Sequence, residues 1–115
     1  MLSNKEIEEK AIEFIKSKYR NVKDAPPGSG YDLRIGNKIV EVKGTASSKA
    51  RQNIYLSREP EYRASQIYKK RYWIYRVINV GKQNIKVISI PAKFMEMKKD
   101  PRWRVKIKKG FLIKA

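Results

Sequence analysis

The chain contains neither cysteine nor histidine. This double absence excludes disulfide bonds, zinc sites of the Cys/His kind, and the Cys–His and Ser–His pairs of nucleophilic enzymes. A metal ion bound by this chain has to be one that prefers oxygen ligands, such as Mg²⁺ or Mn²⁺. A general base has to be a carboxylate, a lysine, a tyrosine or a water molecule.

Acidic residues are scarce, and long apolar runs are missing. The 115 residues include 28 Lys and Arg but 11 Asp and Glu, for a net charge of +17. Residues 51–115 hold 18 of those cations and 4 of the acids, whereas residues 1–50 hold 10 and 7. Such a field attracts polyanions, of which nucleic acid is the commonest. No run approaches the roughly 20 apolar residues of a membrane span, and no signal peptide is visible, so we expect one cytoplasmic domain over residues 1–115 with no membrane partner.

Hydrophobic periodicity predicts an α/β fold with the order α-β-β-β-α-β-β-α-β-β. Ser3 and Glu6 form a capping box that begins the first helix. Residues 21–29, rich in proline and glycine, are predicted to be a loop. The second helix is expected to begin at Ser57 and to turn Tyr62 and Ile67 inward. The predicted strands are 31–35, 38–45, 53–56, 72–80, 85–90, 103–108 and 111–114, and the predicted later helices are 57–70 and 91–98.

Three side chains with complementary chemistry lie on the first predicted hairpin. Asp32 precedes a Gly36-Asn37 turn, and Glu41 and Lys43 follow it, two residues apart on one face of the second strand. Two carboxylates can hold a hard divalent cation through oxygen. A neighbouring ammonium group can steer a phosphate and lower the pKa of a metal-bound water.

The same residues carry a resemblance to known families. Asp32 followed by Glu41-Val42-Lys43 resembles the PD-(D/E)xK nuclease superfamily, although Tyr31 stands where that signature has proline. A more detailed resemblance is to the C-terminal domain of the plant protein NO VEIN and its prokaryotic relatives, and it covers about residues 8–91. It rests on four blocks in order, at residues 30–32, 41–45, 56–57 and 72–77.

The superfamily resemblance implies a restriction-endonuclease-like fold, a mixed β-sheet flanked by helices, and a metal-dependent nuclease. Asp32, Glu41 and the carbonyl of Val42 would bind Mg²⁺ or Mn²⁺, and Lys43 would orient the attacking water. Because the first helix of such nucleases often supplies an acid, Glu8, which falls within the apolar stripe of the predicted helix, is a further candidate. The alternative is a glutamate at the edge of the stripe that reaches water.

Three basic segments are candidates for contacts with nucleic acid. Their alternatives are a solvated loop, ordinary charge at a helix C-terminus, and a protected sheet edge. We expect recognition of the DNA backbone, with a homodimer presenting two sites to two strands. The candidate residues are Thr45, Lys49 and Arg51, then Lys69, Lys70 and Arg71, and finally Arg104, Lys106 and Lys108.

Two other functions compete with the nuclease. The first is a nucleic-acid-binding module without activity, in which Glu41 and Lys43 are a surface ion pair of little energetic consequence. The second is an accessory subunit whose basic face docks an acidic partner.

Overall fold

A five-stranded mixed sheet forms the centre of the fold. The computed structural model describes residues 1–99 and 101–113. In chain order the elements are α1 (Asn4–Lys18), β1 (Val22–Asp24), β2 (Leu33–Ile35), β3 (Lys38–Gly44), β4 (Tyr55–Leu56), α2 (Glu59–Ile67), β5 (Tyr72–Ile78), β6 (Lys86–Pro91), a 3₁₀ turn (Ala92–Phe94), β7 (Met95–Lys99) and β8 (Trp103–Ile107). The sheet order is β1-β2-β3-β5-β6, in which β3 and β5 pair in parallel and the other neighbours are antiparallel. The α/β class predicted from the sequence is confirmed.

Helix α1 covers one face of this sheet. The predicted capping box is present, because the Ser3 hydroxyl accepts from Glu6 N at 3.2 Å and Glu6 Oε1 accepts from Ser3 N at 3.1 Å. Ala11 and Ile15 are fully buried against the sheet. A Cβ atom added at Gly44 would lie 2.9 Å from Ala11 Cβ, so a glycine at this position lets the helix approach β3 closely.

A second, three-stranded sheet covers the opposite face. Its order is β4-β8-β7, and both of its ladders are antiparallel. Leu56, Val105 and Ile107 pack against Ile39 and Ile74 of the larger sheet. Strands β3 and β5 are therefore covered on both sides, which explains why the segment 72–80 reads as nearly continuous apolar sequence.

The helix predicted over residues 91–98 is wrong. The chain makes a single 3₁₀ turn at Ala92–Phe94 and then continues as β7, which pairs with β8 from Met95↔Ile107 to Lys99↔Trp103. Methionine, glutamate and lysine favour helices, but this preference is weak and ladder formation with β8 overrides it. Met95 is buried and Glu96 is exposed, as a strand alternation requires.

The second helix differs from its prediction at both ends. It begins at Glu59 with Arg58 as the N-cap, not at Ser57, and it ends at Ile67 rather than near residue 70. Ile67 is 67% exposed, so its predicted inward orientation is wrong. Ala64 is buried on the inner face of the helix.

Two short segments also differ from their predictions. The predicted loop 21–29 begins with the edge strand β1, which pairs with β2 from Val22↔Ile35 to Asp24↔Leu33. The last strand predicted, 111–114, is not formed over residues 111–113, and residue 114 lies outside the described residues. The loop after β1 carries Gly30 against the first turn of α2.

We predict that Gly30→Ala destabilises the protein by about 3 kcal/mol or more in chemical denaturation, because it adds a backbone clash to left-handed strain. Gly30 has φ +85°, and a Cβ there would lie 2.1 Å from the Pro60 carbonyl oxygen. Gly28→Ala is the matched control, since Gly28 has φ +77° but nothing within 4 Å of the added Cβ. Equal losses in the two variants would show that the contact with Pro60 is unimportant.

Candidate functional site

A buried cluster of two carboxylates and one ammonium group lies between β3 and α2. Lys43 Nζ is 3.2 Å from Glu41 Oε2 and 3.0 Å from Glu61 Oε1. Glu41 is 4% exposed and Glu61 is 7% exposed. The alternation of β3 turns Glu41 and Lys43 to the face that α2 covers, while Val40 and Val42 pack on the α1 side.

Asp32 is fixed beside this cluster by the β2–β3 hairpin. Its backbone N–H donates to the Val40 carbonyl at 3.0 Å, and its Oδ2 accepts from the Val42 N–H at 2.8 Å. The carboxyl group of Asp32 is close enough for its charge to contribute to the raised pKa of Glu41. The hairpin therefore brings together the Asp32, Glu41 and Lys43 side chains that the sequence singled out.

Glu61 belongs to the same cluster but was not predicted from the sequence as a site residue. It is the third residue of α2, and its Oε2 accepts from Arg58 N at 3.0 Å and from Arg58 Nε at 3.4 Å. One carboxylate thus caps the helix and binds Lys43. A glutamate in the first turn was visible in the sequence, where it suited the helix dipole, but its contact with Lys43 depends on how α2 packs.

The three ionisable groups of the cluster have pKa values that are shifted in different directions. Burial, followed by the charge of Asp32, raises the pKa of Glu41 well above its usual value even with Lys43 nearby. Burial also opposes ionisation of Lys43 and Glu61. The attraction of Glu41 and Glu61 nevertheless raises the pKa of Lys43, and a hydrogen bond with Glu41 together with the Lys43 charge lowers the pKa of Glu61.

These carboxylates open onto a pocket of about 290 Å³. The loop from Ala25 to Tyr31 and the start of α2 form its walls, and Asp32, Glu41 and Glu61 lie at its base and sides. Glu8, which is exposed on α1, also lines this pocket. Three of the four predicted catalytic residues, Glu8, Asp32 and Glu41, therefore line this pocket. Lys43 contacts Glu41 but lines a second pocket, which also includes Glu8.

This set of oxygen donors suits a divalent cation of the magnesium type only if the ion keeps part of its hydration shell. Within residues 1–99 and 101–113, no group of three or more acidic side chains is placed so that it could hold a metal ion. Mg²⁺ commonly uses one or two carboxylates together with water and substrate phosphate, and Asp32 and Glu41 are the two carboxylates that would hold it here. The buried Tyr72 hydroxyl makes no hydrogen bond with the described residues, and burial together with the charges of Glu41, Glu61 and Asp32 raises its pKa.

The family model described as Protein NO VEIN, C-terminal, matches residues 3–90. The chain belongs to this family. No curated protein and no solved structure matches the chain. In the part of the chain that the structure describes, none of the helices has the length and apolar character needed to cross a membrane.

A buried arginine supports the end of β3 in this NO VEIN C-terminal domain. Arg76 is 3% exposed, and burial lowers the pKa of its guanidinium to about 10. Arg76 Nη1 donates to the Lys43 carbonyl at 3.3 Å, and Nη2 donates to the Gln52 carbonyl at 2.6 Å. In the sequence it is visible as the single cation in the apolar segment 72–78.

Several hydrogen bonds fix the loop 45–52 to the rest of the fold. Besides the Arg76 contact, the Asn79 N–H donates to the Ser47 carbonyl at 3.0 Å. The Thr45 hydroxyl accepts from Ser47 N at 3.1 Å, and Arg51 donates to the carbonyls of Lys108 and Phe111. Lys49 is exposed.

The remaining predicted nucleic-acid contacts fall in two places. Lys69, Lys70 and Arg71 precede β5, at the Ile39↔Tyr72 end of the parallel pair, whereas Lys43 pairs with Arg76 near the other end. The first two are exposed, and the Arg71 guanidinium lies 5.3 Å from the Tyr68 ring centroid. Arg104 and Lys106 are exposed on β8, and Lys108 is exposed just beyond it.

We predict that Glu41→Gln stabilises the protein at pH 7, because glutamine cannot ionise at a site where burial disfavours the charged form. The pKa of Glu41 is raised in the folded state. Its contribution to stability is therefore complete below the unfolded pKa of about 4.3 and is lost as the pH rises through the folded pKa. Glutamine avoids this loss, so the advantage of the variant should shrink towards pH 4.

Chemical denaturation between pH 4 and pH 8 measures this difference. Glu59→Gln is the control, because Glu59 is exposed in the same helical turn as Glu61. A Glu41→Gln variant that is no more stable than the parent protein at pH 7 contradicts the prediction.

Proposed function

We propose that this NO VEIN C-terminal domain is a metal-dependent nuclease of the PD-(D/E)xK kind that hydrolyses phosphodiester bonds of DNA. The observation that carries the proposal is that Asp32 and Glu41 line one pocket while the Lys43 ammonium group lies 3.2 Å from Glu41 Oε2. The mixed sheet, with the hairpin β2–β3 beside the parallel pair β3–β5 and with α1 on one face, also suits a restriction-endonuclease-like fold.

The chain's own residues would divide the chemistry among them. Asp32 and Glu41 would hold Mg²⁺ or Mn²⁺, with the Val42 carbonyl as a proposed third ligand and Glu8 as an outer acid. The ion supplies activation of a water molecule and neutralises negative charge that develops on the phosphate. Lys43, kept charged by its two carboxylate partners, would orient the attacking water and contact the scissile phosphate.

Glu61 has a positioning role in this proposal. Its contact at 3.0 Å holds the Lys43 ammonium on the α2 side of the pocket. Because Arg58 N and Nε bind the other carboxylate oxygen, Glu61 has little freedom to move towards the ion. The side chain therefore fixes where the lysine can act.

DNA is the proposed substrate because the net charge of +17 favours a polyanion. A 115-residue domain has little surface with which to read base sequence, so the proposed contacts are to the backbone. A homodimer would present two pockets to the two strands of a duplex. Binding should weaken steeply as the salt concentration rises.

One observation favours the alternative of an inactive binding module. The Lys43 ammonium already has two carboxylate partners, as in a buried structural ion pair. In that case the cluster would hold α2 against β3, and the positive surface would bind nucleic acid or an acidic protein partner.

We predict cleavage of plasmid DNA and short duplexes in Mg²⁺ or Mn²⁺, and a loss of at least about 100-fold in Lys43→Ala, the usual scale for removing one preorganised electrostatic group. Asp32→Asn should lose activity to a similar extent. Lys5→Ala is the control for charge, because Lys5 is exposed on α1 and lies outside the residues that line the pocket.

Gel assays with a chelator control measure the cleavage. Circular dichroism of each variant separates loss of the site from loss of the fold. If the parent protein binds DNA but does not cleave it in either metal, the nuclease proposal fails and the binding module remains. If it does not bind DNA at moderate salt, the acidic protein partner remains.

A further inference from the structure

The outer face of the three-stranded sheet is a basic surface apart from the pocket. Cross-strand pairing places Tyr55, Arg104 and Lys98 in one row, and Lys106 beside Glu96 in the next. Arg104, Lys98 and Lys106 are exposed, while Val105 between them on β8 is buried against the core. We call the surface formed by the outward side chains of these two rows the β8 face. It comprises Tyr55, Glu96, Lys98, Arg104 and Lys106. Among the described side chains of these rows, Glu96 is the one acid.

An aromatic ring and a guanidinium lie together at the edge of this face. The Arg102 Cζ atom is 4.1 Å from the centroid of the Tyr55 ring, a stacking distance. Tyr55 is half-buried and Arg102 is exposed, so the pair presents a flat, cationic surface to solvent. Unstacked bases bind to such surfaces, on aromatic rings or on guanidinium planes.

Two grooves flank the ridge formed by Arg104 and Lys106. One, of about 430 Å³, lies on the β4 side and is lined by Tyr55 and Asn53. The other, of about 400 Å³, lies on the β7 side and is lined by Lys98 and Met97. A ridge of cations between two shallow grooves, one of which ends at an aromatic ring, suits a backbone that crosses the sheet with one base turned inward.

The β8 face is also linked to the acidic pocket. Tyr55 precedes Arg58 by three residues, a span of at most about 10 Å, and Arg58 lines the pocket. Gln52, which lines the β4-side groove, is held by the same Arg76 guanidinium that binds the Lys43 carbonyl. The β4 end of the face therefore lies within about 10 Å, along the chain, of a residue that lines the acidic pocket.

We propose that the β8 face binds single-stranded nucleic acid, with phosphates on Arg104, Lys106 and Lys98 and one base stacked on the Tyr55–Arg102 pair. A duplex keeps its bases paired and stacked, and so cannot use the aromatic contact. The proposal goes beyond the proposed nuclease activity, because the binding does not require the pocket to cleave.

The test measures the binding of fluorescently labelled oligo(dT) and oligo(U), each 12 nucleotides long, to the full chain by fluorescence anisotropy. EDTA is present so that metal-dependent cleavage does not occur. Tyr55→Ala should weaken binding about tenfold, within the range for loss of one stacked base, and Tyr55→Phe should stay within about twofold. Arg104→Ala/Lys106→Ala should reduce the slope of log affinity against log salt by about 1.4, since each phosphate contact to a single strand contributes about 0.7.

Lys5→Ala/Lys10→Ala loses the same charge from exposed positions on α1 and is the matched control. A labelled hairpin duplex and polyglutamate serve as competing ligands. The proposal is overturned if Tyr55→Ala binds as the parent does, if both double variants lose the same slope, or if duplex or polyglutamate binds as tightly as the single strand. Single-strand binding by a protein that cleaves nothing supports this proposal while ending the nuclease proposal.

Discussion

The Lys43 ammonium group, placed between two buried carboxylates, is the interaction on which the packing of α2 against the central sheet depends. Removing one partner of a buried ion pair leaves the other charge uncompensated, at a cost of about 3–5 kcal/mol. Here the contact at 3.0 Å goes to Glu61, which also caps α2 through Arg58. Glu41 lies close to the charge of Asp32, in a site where burial disfavours its own charge. Buried ionisable side chains that lower the stability of the fold are typical of functional sites.

The part of the site that could be predicted from the sequence is local. The alternating residues on either side of Gly36-Asn37 predict a hairpin, and a hairpin places Asp32 beside Glu41 because the turn determines the register. The capping box and the buried run at 72–78 follow from equally short patterns. The resemblance to the NO VEIN C-terminal domain, which rested on four short sequence blocks, is confirmed by the family model.

The rest depended on contacts between distant parts of the chain. Glu61 reaches Lys43 from 18 residues away, and no spacing rule connects a helix to a particular strand. Residues 95–99 favour a helix by composition but become a strand because β8 offers a pairing edge. Ile67 follows the apolar stripe of its helix, yet it is exposed because the helix ends there. Gly30 was visible as a loop residue, but its contact with Pro60 was not.

The acidic side chains of the pocket are separated from the basic surface of the β8 face. The pocket gathers Asp32, Glu41 and Glu61, with Glu8 at its rim, in a chain whose net charge is +17. A phosphate that approached these carboxylates alone would be repelled at short range, although the whole protein attracts it from a distance. A cation between phosphate and carboxylates removes this conflict, and Lys43, already shared by two acids, cannot supply all of the neutralising charge. In the proposed function, affinity for a polyanion would be set mainly by exposed cations such as those of the β8 face. The chemistry in the pocket would be set by an ion held by Asp32 and Glu41.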